Sequence, residues 1–354
     1  MALSTTMTLG LSRPRRSRGP LRMIASRLLF LVAALFGVVT LSFLLVSVTP
    51  GDPAELIAGP VASQAQIDAI RADLGLDRPL WERYVDYMGG LLHGDLGTSY
   101  FTGLPISEEI TTRLPATLSL IIPAVLFAAV AGVGVGAAGA YFRGRWPDKV
   151  GRLTTSFFQA IPDFFLGLIL IYLVFFVMGL APAPTGQIGI ADVRPEKVTG
   201  FLAIDALIAG EMGTFWSAVS HLALPVLTLG LVYSAYFAKT ARSTVGKALN
   251  SQQAQFARAM GLPERTVLRY AFVEARGTIV TYAGVIFAAL LGGEAIVERI
   301  FAWDGIGTWS LQGILRLDVP VVQGMVLTAG AITLITYTLL DIIVGLLDPR
   351  ISHV

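Results

Sequence analysis

Gln255-Phe-Ala-Arg-Ala-Met-Gly-Leu-Pro-Glu-Arg-Thr-Val-Leu-Arg269 is a charged, amphipathic island between two long apolar segments. The chain around it, 354 residues long, is 54% hydrophobic and only 14% charged, too apolar for an ordinary soluble domain. A bundle that only holds solute or lipid needs no such island, whereas one pushed by a soluble partner does. The pattern predicts two short helices broken at Gly261, a residue that reaches positive φ without a Cβ clash. Leu262 supplies the apolar residue that often follows such a stop, and Pro263 suits the first position of the next helix. A plain cytoplasmic loop with a Gly-Leu-Pro turn would carry the same pattern.

Working outward, apolar runs long enough to span ~30 Å of hydrocarbon, about 20 residues each, recur along the chain. They are Ile24–Val48, Leu114–Phe142, Leu153–Leu180, Val219–Ala238, Thr278–Val297 and Val321–Leu347, which predicts an all-α integral membrane protein of about six transmembrane helices. Net charge is +2, but its distribution is uneven. With the amino terminus inside, the inner segments hold Arg13, Arg15, Arg16, Arg18, Arg22 and Arg27, then Arg143, Arg145, Lys149 and Arg152. They also hold Lys239, Arg242, Lys247, Arg258, Arg265, Arg269 and Arg276, and the outer segments are poorer in cations. The positive-inside bias therefore puts both termini in the cytoplasm, as an even number of spans requires. The expected organisation is a basic extension 1–22, a first span 23–48, a large outer loop 49–113, a transmembrane domain 114–347 with a cytoplasmic coupling loop 239–277, and a tail 348–354.

The outer loop 49–113 is acidic and carries helical spacing over Gln64–Leu74 and an aromatic stretch Leu80–Met88 suited to an interfacial helix. A second outer loop holds Phe201–Gly210, too short to span, which reads as a re-entrant or interfacial helix. Gly134-Val-Gly-Ala-Ala-Gly139 matches a dinucleotide fingerprint but lies inside an apolar run with no preceding strand. Gly132, Gly136 and neighbouring alanines instead predict two helices in close approach. No G-x-x-x-x-G-K-[ST] occurs, cysteine is absent, and His93, His221 and His353 are isolated, so no catalytic, metal or cofactor site is expected in this chain. Asp163 and Asp341, near span ends, are too few for a proton relay.

Motifs spread from about residue 23 to the carboxyl end carry a family resemblance. They are Pro50-Gly-Asp-Pro53, Leu74-Gly-Leu-Asp-Arg-Pro-Leu80, Gly94-Asp-Leu-Gly-Thr-Ser99, Arg113-Leu-Pro-Ala-Thr-Leu118 and His221-Leu-Ala-Leu-Pro-Val-Leu-Thr-Leu229. Ala289-Leu-Leu-Gly-Gly293, Glu298 with Phe301-Ala-Trp303, Gly305-Ile-Gly307 and Leu347-Asp-Pro-Arg350 follow. In this order the chain resembles the membrane permease subunits of the dipeptide/oligopeptide/nickel branch of ABC importers, with the type I fold. The island then resembles the family's E-A-A-x-x-x-G coupling motif: Gln255 stands for the Glu, Phe256 for the first Ala, and Ala257 and Gly261 are kept. Departures are Thr278 and Asp304, where Pro is common, and Glu294, where a small apolar residue is usual.

The resemblance implies a subunit of the bacterial cytoplasmic membrane that imports dipeptides or oligopeptides, or else nickel or another small solute. It implies a second, homologous permease subunit in a heterodimer, two ABC ATPase subunits that bind ATP and Mg, an extracytoplasmic solute-binding protein and surrounding lipid, with no nucleic acid. Phe256, Met260 and Leu262 would fill an apolar groove on the ATPase, with Arg258 and Arg265 pairing at its rim. A secondary carrier or channel, or a non-transporting scaffold, is the reading of a different class. No residue of a substrate pathway stands out.

Overall fold

The computed structural model describes residues 20–48 and 51–347. Among them the chain is helical, with a lone bridge between Thr98 and Pro105 and no strand. Helix α1 (Pro20–Val48) leads into three outer helices, α2 (Pro53–Ala58), α3 (Gln64–Asp73) and α4 (Leu80–Leu92). Then come α5 (Ile106–Tyr141), α6 (Trp146–Ala160), and α7 (Asp163–Leu170) continued by a π-helical turn, Ile171–Val177. An outer helix α8 (Leu202–Ile208) precedes α9 (Met212–Leu249), α10 (Gln252–Ala259) and α11 (Glu264–Gly293). Two more outer helices, α12 (Ala295–Ile300) and α13 (Ile306–Leu315), lead to α14 (Val319–Leu347).

Among the described residues α5, α9, α11 and α14 are long and apolar enough to cross a membrane, and the α6–α7 pair makes a fifth if counted as one span. Helix α1 carries the shorter apolar helix Val32–Leu44. The third span, expected to be continuous over Leu153–Leu180, is instead bent by 100° between Ala160 and Asp163. Pro162 has no amide hydrogen and pushes Ile161 out of the helical region, and Ile161 duly sits at ψ 128°. The fifth span also shifts: α11 begins at Glu264, runs straight through Thr278 and stops at Gly293, so Ala295–Val297 belong to a separate helix. The basic extension 1–22 and the tail 348–354 lie wholly or largely outside the described residues.

The two longest helices form the spine. A Cβ added at Gly132 would sit 2.3 Å from the Ser234 carbonyl oxygen, and one at Gly136 would sit 2.3 Å from that of Ala238. Only glycine lets α5 and α9 touch backbone to backbone, as the small-residue spacing predicts. Around them Leu120, Ile121, Leu229, Phe237 and Leu290 form the main core.

The scattered outer motifs converge at one end of this spine. Glu298, 1% exposed, accepts hydrogen bonds from Thr117 Oγ1 at 2.5 Å and Thr308 N at 2.7 Å. Trp303 Nε1 donates to the Ala116 carbonyl at 2.8 Å, Trp309 Nε1 to Glu109 Oε2 at 2.9 Å, and Ser99 Oγ to Asp318 at 2.6 Å. These bonds tie the outer end into a hydrogen-bonded plug, in which Glu109 Oε1 is left with only the Arg113 guanidinium at 3.6 Å. Asp304 ion-pairs with Arg113 at 3.6 Å, and Glu294 accepts from Tyr233 OH at 3.0 Å, so two of the departures acquire intrachain partners.

Candidate functional site

The island sits at the opposite end, between the last turn of α9 and the first of α11. Far from a long loop, the segment 239–277 is mostly helix: α9 runs to Leu249, and α11 starts at Glu264. Helix α10 starts because Ser251 is an N-cap, accepting from Ala254 N at 3.3 Å. It stops because Gly261 takes φ +77°, so that Gly261 N reaches Arg258 O at 2.9 Å and Leu262 N reaches Ala257 O at 3.1 Å. This is the paired-bond helix stop, which satisfies the Ala257 and Arg258 carbonyls of the last turn. Pro263 holds an extended ψ of 146° as the cap of α11, one position earlier than expected.

The helix has two faces. Ala254 and Ala257, 4% and 5% exposed, pack with Val245, Leu249, Val267 and Ala271, which fixes α10 against both neighbouring spans. Phe256 and Met260, each 67% exposed, point the other way, with Leu262 beside them. Gln255 donates to the Asn250 carbonyl at 3.3 Å, and Arg265 is exposed.

Arg258 is not free to serve at a rim. Its Nε and one terminal nitrogen reach the Glu264 carboxylate at 2.7 and 3.3 Å, and the other donates to the Leu249 carbonyl at 2.9 Å. One guanidinium therefore ties the end of α9, the body of α10 and the start of α11, and Glu264 in turn holds it more firmly protonated. A cation on the terminal carbonyl of α9 also suits the negative end of that helix. Glu264 was missed from sequence because it lies across the turn, off the helical spacing that flags ion pairs. The eight expected residues thus divide: Ala257, Arg258 and Gly261 build the elbow, while Phe256, Met260, Leu262 and Arg265 present its outer surface with Gln255 at the edge.

Nothing in this geometry performs covalent chemistry. It presents an apolar patch on a short helix that is packed against, and hydrogen-bonded to, two long helices.

Comparison with known proteins gives a consistent result. The family described as binding-protein-dependent transport system inner membrane component matches residues 128–353, and its N-terminal counterpart matches residues 20–121. A di/tripeptide transport system permease protein of Pseudomonas aeruginosa is 39% identical over 338 residues, covering 94% of this chain and 99% of its own. A probable D,D-dipeptide transport system permease protein of Escherichia coli is 37% identical, covering 91% and 95%. A chain of the MetNI methionine ABC transporter in an inward-facing form aligns with TM-score 0.46 at 17% identity, over 66% of this chain and 93% of that one.

Proposed function

The chain belongs to the family of binding-protein-dependent transport system inner membrane components, and on that premise we propose that it is the permease subunit of an ATP-driven importer of short peptides. It is a multi-pass subunit of the cytoplasmic membrane and not itself an enzyme. The peptide assignment rests on relatives named as di/tripeptide, dipeptide and D,D-dipeptide permeases. The assembly we propose adds a second, non-identical permease subunit, two ATPase subunits that hold ATP and Mg, and an extracytoplasmic solute-binding protein.

The observation that carries this reading is the braced elbow with Phe256 and Met260 turned outward. Exposed aromatic and thioether side chains on a rigid base are typical anchors for a protein partner. Closure of the ATP-bound motor beneath would displace α10 as a solid body and carry α9 and α11 with it. The shift between inward- and outward-facing states is limited to the difference in the motor's affinity for the two.

Reconstitution tests it. Vesicles containing the assembled transporter should take up a dipeptide in an ATP-dependent, vanadate-sensitive manner. Phe256→Ala with Met260→Ala should weaken retention of the ATPase subunits by at least about ten-fold, the scale of one buried anchor. Full uptake without any ATPase subunit would sink the proposal.

A further inference from the structure

Beside the elbow, at the same end of the spine, α5, α6 and α9 enclose a cleft of about 830 Å³. Its floor is Gly136, Gly139 and Ala238, and polar side chains such as Thr155, Gln159 and Ser243 line its walls. Arg143, Arg152, Lys239, Arg242 and Lys247 face it with one carboxylate, Asp148. That carboxylate is committed: Arg242 holds it at 2.7 and 3.1 Å, the Gly144 amide donates to it at 3.0 Å, and Arg152 lies 3.7 Å away. Among the described residues Arg143, Lys239 and Lys247 have no carboxylate partner. Unneutralised like charges around one concavity repel each other and favour an anion between them.

Depth identifies the anion. Tyr141 and Trp146, 42% and 75% exposed, bracket Arg143 in the chain, and exposed aromatics of this kind settle at the headgroup layer. Helix α6 turns Val150, Leu153 and Phe157 outward, and Asp148, Arg152, Thr155, Ser156 and Gln159 into the cleft. The mouth therefore lies where lipid phosphates are concentrated, on the leaflet that faces the ATPase. We infer that this cleft binds the phosphate-bearing headgroup of an anionic phospholipid of the cytoplasmic leaflet, through Arg143, Lys239 and Lys247.

The transporter, assembled with its ATPase subunits, would be placed in nanodiscs of phosphatidylcholine with or without phosphatidylglycerol, and bound lipid counted by native mass spectrometry during delipidation. Wild type should retain phosphatidylglycerol over phosphatidylcholine. Lys239→Gln and Lys247→Gln should each weaken that retention roughly five-fold, and about thirty-fold together, given the strength of one lysine near an anionic surface. Lys239→Arg with Lys247→Arg should restore it, which separates lost charge from lost folding. Lys149→Gln, on α6 and the same leaflet but outside the cleft, should leave it unchanged. Equal retention by the double Gln variant, or an equal loss in Lys149→Gln, would overturn the inference. So would inorganic phosphate occupying the cleft and displacing no lipid, since the anion would then come from solution.

Discussion

Gly261 constrains this protein through torsion alone. Its φ is +77°, yet a Cβ built there would meet nothing within 4 Å. A side chain is therefore opposed only by the left-handed backbone, at ~1–2 kcal/mol for an L-residue and least for Asn. Gly261→Asn should keep most peptide uptake per ATP hydrolysed, whereas Gly261→Val should uncouple the two by straining the stop between α10 and α11. Measuring uptake and hydrolysis in the same vesicles decides it, and normal coupling in the Val variant would show that the turn need not be held. The glycine was legible because Gly-Leu-Pro is local grammar. Ala302 and Leu317 use the same left-handed backbone, with φ 51° and 54°, and nothing in their side chains announces it. At Ala302 it closes α12 with the same paired bonds as at Gly261, Ala302 N on the Arg299 carbonyl at 3.2 Å and Trp303 N on that of Glu298 at 2.7 Å.

At the scale of elements, the brace is the feature that turns a short helix into a lever. Arg258→Lys keeps the charge but loses the forked reach to Glu264 and Leu249, so α10 should stay helical while losing its fixed angle. The exposed pair itself contributes little to global stability, so the expected sign is local. Amide exchange should rise across 250–264 with the thermal midpoint nearly unmoved, and unchanged exchange there would mean that Ala254 and Ala257 packing suffices. On the outer side Asp52 caps α2 through Ala54 N at 2.9 Å and ion-pairs with Arg71 of α3. Burial alone would raise its pKa, but the Arg71 and backbone bonds outweigh this and hold it below the usual carboxylate range. A depressed folded-state pKa means that the stabilisation is complete above the unfolded-state value and fades as pH falls through the folded one. Acidification below about pH 4 should therefore loosen α2 and α3. Asp52→Asn should abolish that transition in pepsin accessibility of the loop, and an identical transition in both proteins would assign it to another acid.

Helix positions were largely readable from apolar period, and a close helix approach from Gly132 and Gly136, but not that α9 is the partner. Proline alone does not mark the bend at Pro162, since Pro115, Pro123 and Pro225 lie inside helices that stay unbroken. What distinguishes Pro162 is the change across it: α6 is two-faced, with Asp148, Arg152 and Gln159 on one side, while α7 is apolar nearly throughout. Pairings such as Arg242 with Asp148, or Thr117 with Glu298, join residues 94 and 181 positions apart, and no local pattern encodes them.

For the whole molecule the decisive quantity is direction. Charge asymmetry places the elbow and the basic cleft inside and the hydrogen-bonded plug outside, and the α5 and α9 spine connects them. At ~1.5 Å per residue, α9 with its 38 residues is about 57 Å long, well beyond the ~30 Å hydrocarbon layer. Motion imposed at its inner end thus travels along one continuous helix to the outer side, whereas a reversed molecule would offer its elbow to a compartment without ATP. Because cysteine is absent, single introduced thiols report orientation cleanly. Ala65→Cys on α3 should react with a membrane-impermeant maleimide in intact right-side-out vesicles, and Gln253→Cys on α10 only after permeabilisation. Both positions are exposed in this chain, and in vesicles that hold it without ATPase subunits failure to label reflects the membrane and not burial. The opposite pattern would invert the topology and remove α10 from any contact with a cytoplasmic motor.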